Sequence, residues 1–474
     1  MIPFKPHFSS KPREETAKQV MEILTPGQQA VLQQTLALKR GQTARITGYA
    51  GTGKTFTMSW LIRILAETTR KIAVCAPTHT AKDVLIEKVN LGDEAYNLTF
   101  TTIQSLLDLK EKINIETGEI SFEQKRDLKF KEVSIQQYHT VIVDEASMLC
   151  PKLCDLMYKS WLSAKFILII IGDPVQVPPV GYEESFAFTS DYDDLFNPID
   201  LRLDQIVRQK NGSNIIDLSF EIRKNLLMGK DEMLTLCRRY AEMGGDIKPL
   251  ESLNKQIFPI YKSDEYRKDP KLVKTVAFRK KRCQGYSDAI RDFVLERHEE
   301  DPIVGDIMVF NEPYVKDKDI IFHNKEEVLI LEIAKEEYTF NFQTFTVNCY
   351  TVQRLKRNDF DDDDENMEEK VLHVTSKDRQ RFNEAVTKFY NTIMSKPENV
   401  KKTLWPKFWS GKRLIANWTY IYTMTAHKSQ GGTFENVVVD VYDILNNPSP
   451  YVRNRILYTA ITRASKNVYL RVYR

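Results

Sequence analysis

The sequence predicts an α/β protein built on parallel sheet, and three observations carry that prediction. In the first third of the chain, short β-branched runs alternate with helical stretches, the pattern of a parallel sheet wrapped by helices. One of those runs, "TARIT" at 43–47, leads directly into the glycine loop "GYAGTGKT" at 48–55, which opens the helical run "TFTMSWLIRILAE". Further on, the period changes: "DIMVFN", "EEVLILEIA", "YTFNFQTFTVNCYTV" and "EKVLHVTS" read as the short strands of a small barrel.

Composition bounds the rest. At 474 residues the chain is too long for one core, and domains of ~100–200 residues imply about three or four units. The formal net charge of +3 announces no global basic field, so a nucleic-acid surface would have to be a local groove. Six cysteines without framework spacing, and no apolar N-terminal stretch, lead us to expect a reducing, cytoplasmic setting and no membrane. Cys150 and Cys154 have no second Cys or His pair near them in sequence, which argues against zinc.

Taken in order, the strands of the first lobe are "TARIT", "KIAVCA" (71–76), "TVIVDE" (140–145) and "KFILIIIGD" (165–173), each ending in polar residues. Ligands of open α/β sheets bind beyond the carboxyl ends of strands, so the glycine loop, Asp144–Glu145 and Gly172–Asp173 should converge on one crevice. Gly48, Gly51 and Gly53 allow main-chain N–H groups to face phosphate oxygens at a helix N-terminus. Lys54 then neutralises the β and γ phosphates of a nucleoside triphosphate, and Thr55 offers its hydroxyl to Mg²⁺. Asp144 is placed to hold the metal through water, Glu145 to polarise the attacking water, and Gln176 in "GDPVQVPPV" to report the γ phosphate. Between "TTIQSLL" and "TVIVDE", the stretch "KEKINIETGEISFEQK" alternates around Thr117–Gly118 and reads as a β-hairpin carrying Phe122, the only aromatic between Asp108 and Lys129.

Read in sequence order, "LTPGQQAVL", "APTHTAK", "TTIQSLL", "DEAS", "GDPVQVPPV", "LDQIVRQ", "TAHKSQGGTFENVVV" and "LYTAITRAS" resemble the ordered motif set of superfamily 1 helicases, in the branch containing the RecD and Pif proteins. Lys280 and Lys325 depart from residues common in that family. The resemblance implies two RecA-like parallel-sheet lobes, with a β-hairpin insertion in the first and an SH3-like β-barrel plus helical insertion in the second. Its boundaries would be an N-terminal arm at 1–20, lobe 1 at 21–203 with the pin at 107–137, lobe 2 at 204–295 and 416–474, and the insertion at 296–415. The amphipathic helix of that insertion carries Phe382, Ala385, Val386, Phe389 and Ile393 on one face. "LWPKFWSGKRL" offers Trp405, Phe408 and Trp409 as either base platforms or core.

By the same resemblance Gln28 would read adenine, making ATP the nucleotide. Thr52 and Gly432 would join the nucleotide contacts, and Arg208 and Arg463 would meet the charge that grows on the phosphoryl group in the transition state. Thr78, His79, Lys82, Thr102, Thr425, His427 and Lys428 would contact DNA phosphates from loops on the side of the lobes away from ATP, with Phe122 at the fork. The implied activity is 5′→3′ translocation on single-stranded DNA and unwinding at a fork in phage DNA replication, recombination or repair. A monomer is expected, with replication proteins such as an ssDNA-binding protein as neighbours. The other class left open is a nucleic-acid-stimulated ATPase that remodels or displaces bound protein without separating strands. The acidic run "DFDDDDENMEEK" reads as a solvated loop.

Overall fold

The computed structural model describes residues 23–89, 97–113, 120–124, 133–179, 181–205, 213–316, 319–355 and 368–473. The expected arm at 1–20, Arg208 and most of the acidic run lie outside these residues, and for His79 and Phe122 the description stops at the backbone.

Lobe 1 contains β1 (Thr43–Gly48), β2 (Ile72–Ala76), β3 (Leu98–Thr102), a hairpin of β4 (Leu109–Ile113) and β5 (Ile120–Gln124), then β6 (Thr140–Val143), β7 (Ile167–Gly172) and β8 (Ile199–Leu203). The six sheet strands lie in the order β3-β2-β6-β7-β1-β8, every pair parallel. Both faces are covered. Ile142, Ile169 and Ile171 pack on one side with Leu61 and Val74, while Val141, Val143, Leu168 and Ile170 pack on the other with Met157. Burial on both sides is why β2, β6 and β7 read as near-continuous apolar runs, whereas the edge strands β3 and β8 alternate. The chain leaves β1 toward β2 on one side of the sheet and leaves β7 toward β8 on the other. That reversal opens a crevice beyond the carboxyl ends of β1 and β7.

In lobe 2, the helices Asn214–Lys224 and Lys230–Met243 precede β9 (Ile247–Pro249) and β10 (Val273–Ala277). After the helix Lys280–Phe293 the chain departs into the insertion: β11 (Ile307–Phe310), β12 (Tyr314–Lys316), β13 (Asp319–Phe322), β14 (Glu327–Phe340), β15 (Gln343–Arg354), β16 (Glu368–Val374), two helices (Ser376–Met394 and Glu398–Arg413) and β17 (Trp418–Tyr420). It then returns as β18 (Thr423–Thr425), β19 (Phe434–Val439) and β20 (Ala464–Leu470), giving a second parallel sheet ordered β18-β10-β19-β20-β9. The insertion's antiparallel sheet runs β16-β15-β14-β11-β17. Trp418–Tyr420, on the lobe 2 side of the expected boundary at 416, thus pairs with β11 in the insertion.

The insertion and lobe 2 share one core: Val438 and Tyr469 of the lobe 2 sheet pack in the same cluster as Phe310, Tyr350 and Trp418. "YTFNFQTFTVNCYTV", read as a single strand, is instead the end of β14, a turn and most of β15. Asn341 and Phe342 turn the chain with φ of 47° and 63°, and no Gly or Pro marks the place. Near this turn, Phe340 and Phe345 pack with Phe382, Phe389, Trp405 and Phe408, so Trp405 and Phe408 are core. Trp409 remains half-buried, with Lys412 and Arg413 beside its ring.

Where the lobe 2 helix Lys280–Phe293 meets the insertion, the fully buried Asp306 accepts from Ile303 N at 2.9 Å, from Arg291 at 3.3 Å and from Arg297. Asp306→Ala would leave the Arg291 guanidinium, only 4 % exposed, without its carboxylate and held by Glu299 O and Asp301 O alone. A loss of about 3–5 kcal/mol in urea unfolding is expected, against a smaller loss for Asp306→Asn. Equal and small effects of both would show that the cluster carries little.

Candidate functional site

The glycine loop after β1 folds as its residue types require. Gly51 and Gly53 have φ of 85° and 78°, and a Cβ on Gly53 would lie 2.4 Å from Gln28 Nε2. The helix Lys54–Ala66 follows immediately. Lys54 Nζ donates to Gly48 O at 2.8 Å and Tyr49 O at 2.9 Å, closing the loop on itself. Burial lowers the lysine's pKa, opposed by the carboxylates of Asp173, Glu145 and Asp144. A phosphate delivered to this ammonium would repay its lost hydration.

Asp144 and Glu145 follow β6. Glu145 sits in the left-handed region at φ 51°, ψ 41°, an uncommon conformation for a residue with a side chain. Burial, followed by repulsion from Glu145, raises the Asp144 carboxyl to about 7, partly offset by Lys88 and Lys54. With the Gln176 amide oriented so that both its atoms are satisfied, its nitrogen donates to Glu145 Oε2 at 3.3 Å and its oxygen accepts from Arg463 Nη2 at 3.2 Å. Arg463, 6 % exposed, is held by Thr459 O at 3.1 Å and Gly432 O at 3.3 Å. A chain of polar contacts thus runs from lobe 1 to lobe 2.

These groups line one cavity of about 480 Å³ between the lobes. Of the expected nucleotide residues, Gln28, Gly51, Gly53, Lys54, Thr55, Asp144, Glu145, Gln176 and Arg463 face it, whereas Gly48, Thr52 and Gly432 support it from behind. Thr52 is fully buried and donates to Tyr49 O at 2.9 Å. Gln28 is engaged on both edges: its amide donates to Thr52 O at 3.2 Å and accepts from Thr25 N at 3.1 Å, in a capping box. Sequence reasoning passed over Tyr49, Phe56, Lys88, Thr433 and Thr462, which also line the cavity. Gly431 gave a signal as the first half of a Gly-Gly pair. Its φ is 78°, and a Cβ there would meet Ala81 of lobe 1 at 3.0 Å, so glycine permits the close approach of the lobes. A shallower concavity of about 1010 Å³ follows the polar face of the helix Ser376–Met394 and holds none of the motif residues.

The candidate DNA residues of lobe 1 follow β2 and β3. They are at the same carboxyl end of the sheet as the glycine loop rather than on an opposite side, displaced along it by three and four strands, ~14–19 Å at the usual strand spacing. Thr78 Oγ1 accepts from Ala81 N and Thr102 Oγ1 from Ser105 N, both at 3.2 Å, so each hydroxyl caps a helix. Lys82, one turn into the helix His79–Val89, is half-buried. In lobe 2, Thr425 ends β18. Burial lowers the pKa of His427, leaving it neutral at pH 7, and lowers that of Lys428, with Lys280 adding to the effect. Lys428 Nζ donates to Asn311 of the insertion. In the hairpin, Phe122 lies opposite Glu111.

Thr55 and Asp144 present a hydroxyl and a carboxylate, the hard oxygen donors Mg²⁺ takes. A carboxyl raised to about 7 is also the group whose ionisation a cation would favour, so the residues fit the ion.

Comparison with known proteins places these features in a family. Residues 23–238 match the model of an AAA domain, residues 299–418 that of the Dda helicase SH3 domain, and residues 420–471 that of the UvrD-like helicase C-terminal domain. An uncharacterised protein of Acanthamoeba polyphaga mimivirus is 26% identical over 478 residues, covering 89% of this chain and 94% of its own length. An uncharacterised protein of Methanocaldococcus jannaschii is 26% identical over 481 residues, 91% of this chain and 37% of its own length. In fold, the chain is similar to the Pif1 helicase from Candida albicans, with a TM-score of 0.50 and 16% identity, over 95% of this chain and 94% of that one.

The Asp144 shift has a signed consequence. The folded chain keeps a proton on Asp144 that the unfolded chain loses near pH 4, so without nucleotide or metal the group's cost grows between about pH 4 and 7 and is complete above. Asp144→Asn should therefore raise the melting temperature of the ligand-free protein at pH 8 and leave it unchanged near pH 4. A variant less stable than wild type at pH 8 would contradict the burial argument.

Proposed function

We propose that the chain is an ATP-dependent superfamily 1 helicase of the Pif1/Dda-like kind, which translocates 5′→3′ on single-stranded DNA and separates strands at a fork; the helicase-domain matches support this reading. The observation that carries the ATP-driven part of this reading is the contact chain Glu145–Gln176–Arg463, which joins a candidate water-activating acid in lobe 1 to a guanidinium in lobe 2 across one cavity, while the polarity is what the family resemblance implies.

The chemistry proposed is in-line hydrolysis of ATP. The main-chain N–H groups of the glycine loop and Lys54 hold the β and γ phosphates, and Thr55 and Asp144 would hold Mg²⁺, which when bound supplies charge neutralisation on the phosphate oxygens. Glu145 accepts the proton of the attacking water. Arg463 meets the charge that grows on the γ phosphoryl oxygens, as Arg208 would from the same lobe, and Gln176 senses whether that group is present. The triphosphate holds both lobes; loss of the γ phosphate releases lobe 2, and the lobes move relative to one another.

For DNA, we assign the loops that follow β2, β3 and β18, with Thr78, His79, Lys82, Thr102, Thr425, His427 and Lys428, to the phosphate backbone, and the hairpin with Phe122 to the fork. A neutral His427 serves there as a hydrogen-bond donor rather than as a cation. The reading takes a monomer as the working unit. The setting in this reading is phage DNA replication, recombination or repair; one of the two relatives is viral and the other archaeal.

Strand displacement with ATP, on duplexes bearing a 5′ or a 3′ single-stranded tail, tests the proposal. Displacement is expected from the 5′-tailed substrate alone, and Glu145→Gln should abolish it while ssDNA affinity stays within about threefold of wild type. Displacement from the 3′ tail alone would reverse the polarity. DNA-stimulated hydrolysis without displacement from either would favour a remodelling ATPase.

A further inference from the structure

Arg455 belongs to none of the motifs that stood out in the sequence, yet it is among the largest fully buried side chains. It lies in the lobe 2 helix Pro450–Ile461 and crosses to the stretch that follows β7 of lobe 1. Nη2 donates to Gln176 O at 2.6 Å and Pro174 O at 2.9 Å, Nε to Gln176 O at 3.2 Å and Val175 O at 3.3 Å, and Nη1 to Glu183 O at 2.8 Å. Among the described residues no carboxylate hydrogen-bonds to it. Its charge is met by main-chain carbonyls.

Two more lobe 2 side chains hold the same stretch. Val177 N donates to Thr459 Oγ1 at 3.1 Å, and Gln430 Nε2 donates to Val177 O at 2.5 Å. Val177, 1 % exposed, is packed inside the lobe 2 apolar cluster with Leu218, Ile456 and Ile461, and Val175 packs against that cluster. Pro174–Val177 therefore continues the lobe 1 chain but is built into lobe 2. Toward lobe 1 the stretch is tied to Asp173, the residue before it, which accepts from Val175 N at 3.0 Å and from Gln176 N at 3.2 Å and is itself bonded to lobe 2 by Arg223 and Tyr458; beyond that it touches Glu145 through the long Gln176 contact at 3.3 Å.

We propose that Arg455 is a positioning residue that makes Pro174–Val177 travel with lobe 2, so that opening the cleft withdraws Gln176 from Glu145. The planar guanidinium spends its donors on a fixed set of carbonyls in a dry contact, and pulling the stretch away would leave those donors unpaired. The Glu145–Gln176 seam parts more easily than the Arg455 cage. Arg455 touches no reacting atom. It sets where the Gln176 amide stands, and through it the dependence of hydrolysis on lobe position.

The inference deepens the proposed role of Gln176 and rests on it, so two measurements separate the claims. In the wild-type full chain, hydrogen exchange at the Val177 amide is compared without nucleotide, with a non-hydrolysable ATP analogue and with ADP. Protection within about threefold across the three states is expected, and a loss beyond that without nucleotide or with ADP would overturn the proposal. In the second, Arg455→Lys keeps the charge but loses the fork. It should bind the ATP analogue within about twofold of wild type while DNA-stimulated kcat falls about tenfold. Combined with Gln176→Ala, it should be no slower than the slower single variant. Losses that multiply would show that Arg455 does not act through Gln176. An Arg455→Lys chain that fails to fold leaves the wild-type exchange to decide, and unimpaired hydrolysis by Gln176→Ala would sink the reading of Gln176 without touching the exchange result.

Discussion

The carboxylate of Asp173 is the point on which both lobes turn. It stands at the carboxyl end of β7, fully buried, and both its oxygens are taken by lobe 2: Arg223 Nη1 at 2.7 Å and Tyr458 Oη at 2.5 Å. Burial, with Asp173 beside it, holds the Tyr458 phenol far above its ordinary pKa, so the hydroxyl remains a donor to the carboxylate while accepting from Ala50 N of the glycine loop at 3.2 Å. Arg223 also lies over the Tyr49 ring, 4.2 Å from its centroid. A buried acid with one partner removed is costly, so the two lobes and the glycine loop hold one another in this closed arrangement.

From that contact the electrostatics of the cavity follow. Asp144 and Glu145 line the cavity with Lys54 and Arg463, and the buried Asp173–Arg223 pair stands behind them, where fixed charges act more strongly than they do in solvent. The shifts report an unfinished balance: a lysine lowered by burial and an acid raised to about 7. Phosphates at the first and a divalent cation at the second supply the charges each lacks. The same ligands would then bind the lobes together, which is how a bond broken at one end of a sheet can become a displacement of a whole domain.

Much of this was legible in the sequence. β2, β6 and β7 are apolar runs, the last two followed directly by acids, and a strand buried on both faces leaves that trace. The amphipathic helix at 376–394 was equally plain, since Phe382, Ala385, Phe389 and Ile393 repeat at helical spacing. What escaped is what depends on two distant segments meeting. Arg455, Arg223 and Tyr458 are ordinary helical residues until lobe 2 is laid against the loop after β7, and the bond of Gln28 to Thr52 O spans 24 residues. The Asn341–Phe342 turn was hidden by a phenylalanine in a conformation that usually selects glycine.

The central claim is that nucleotide state sets the distance between the lobes. Spin labels at Thr69 in lobe 1 and Asp231 in lobe 2, both exposed, with Cys150 replaced by serine, allow that distance to be read by pulsed electron paramagnetic resonance on ssDNA-bound protein. One short, narrow distribution with a non-hydrolysable ATP analogue and a longer one with ADP are the results the account predicts. Superimposable distributions in the two states would contradict it.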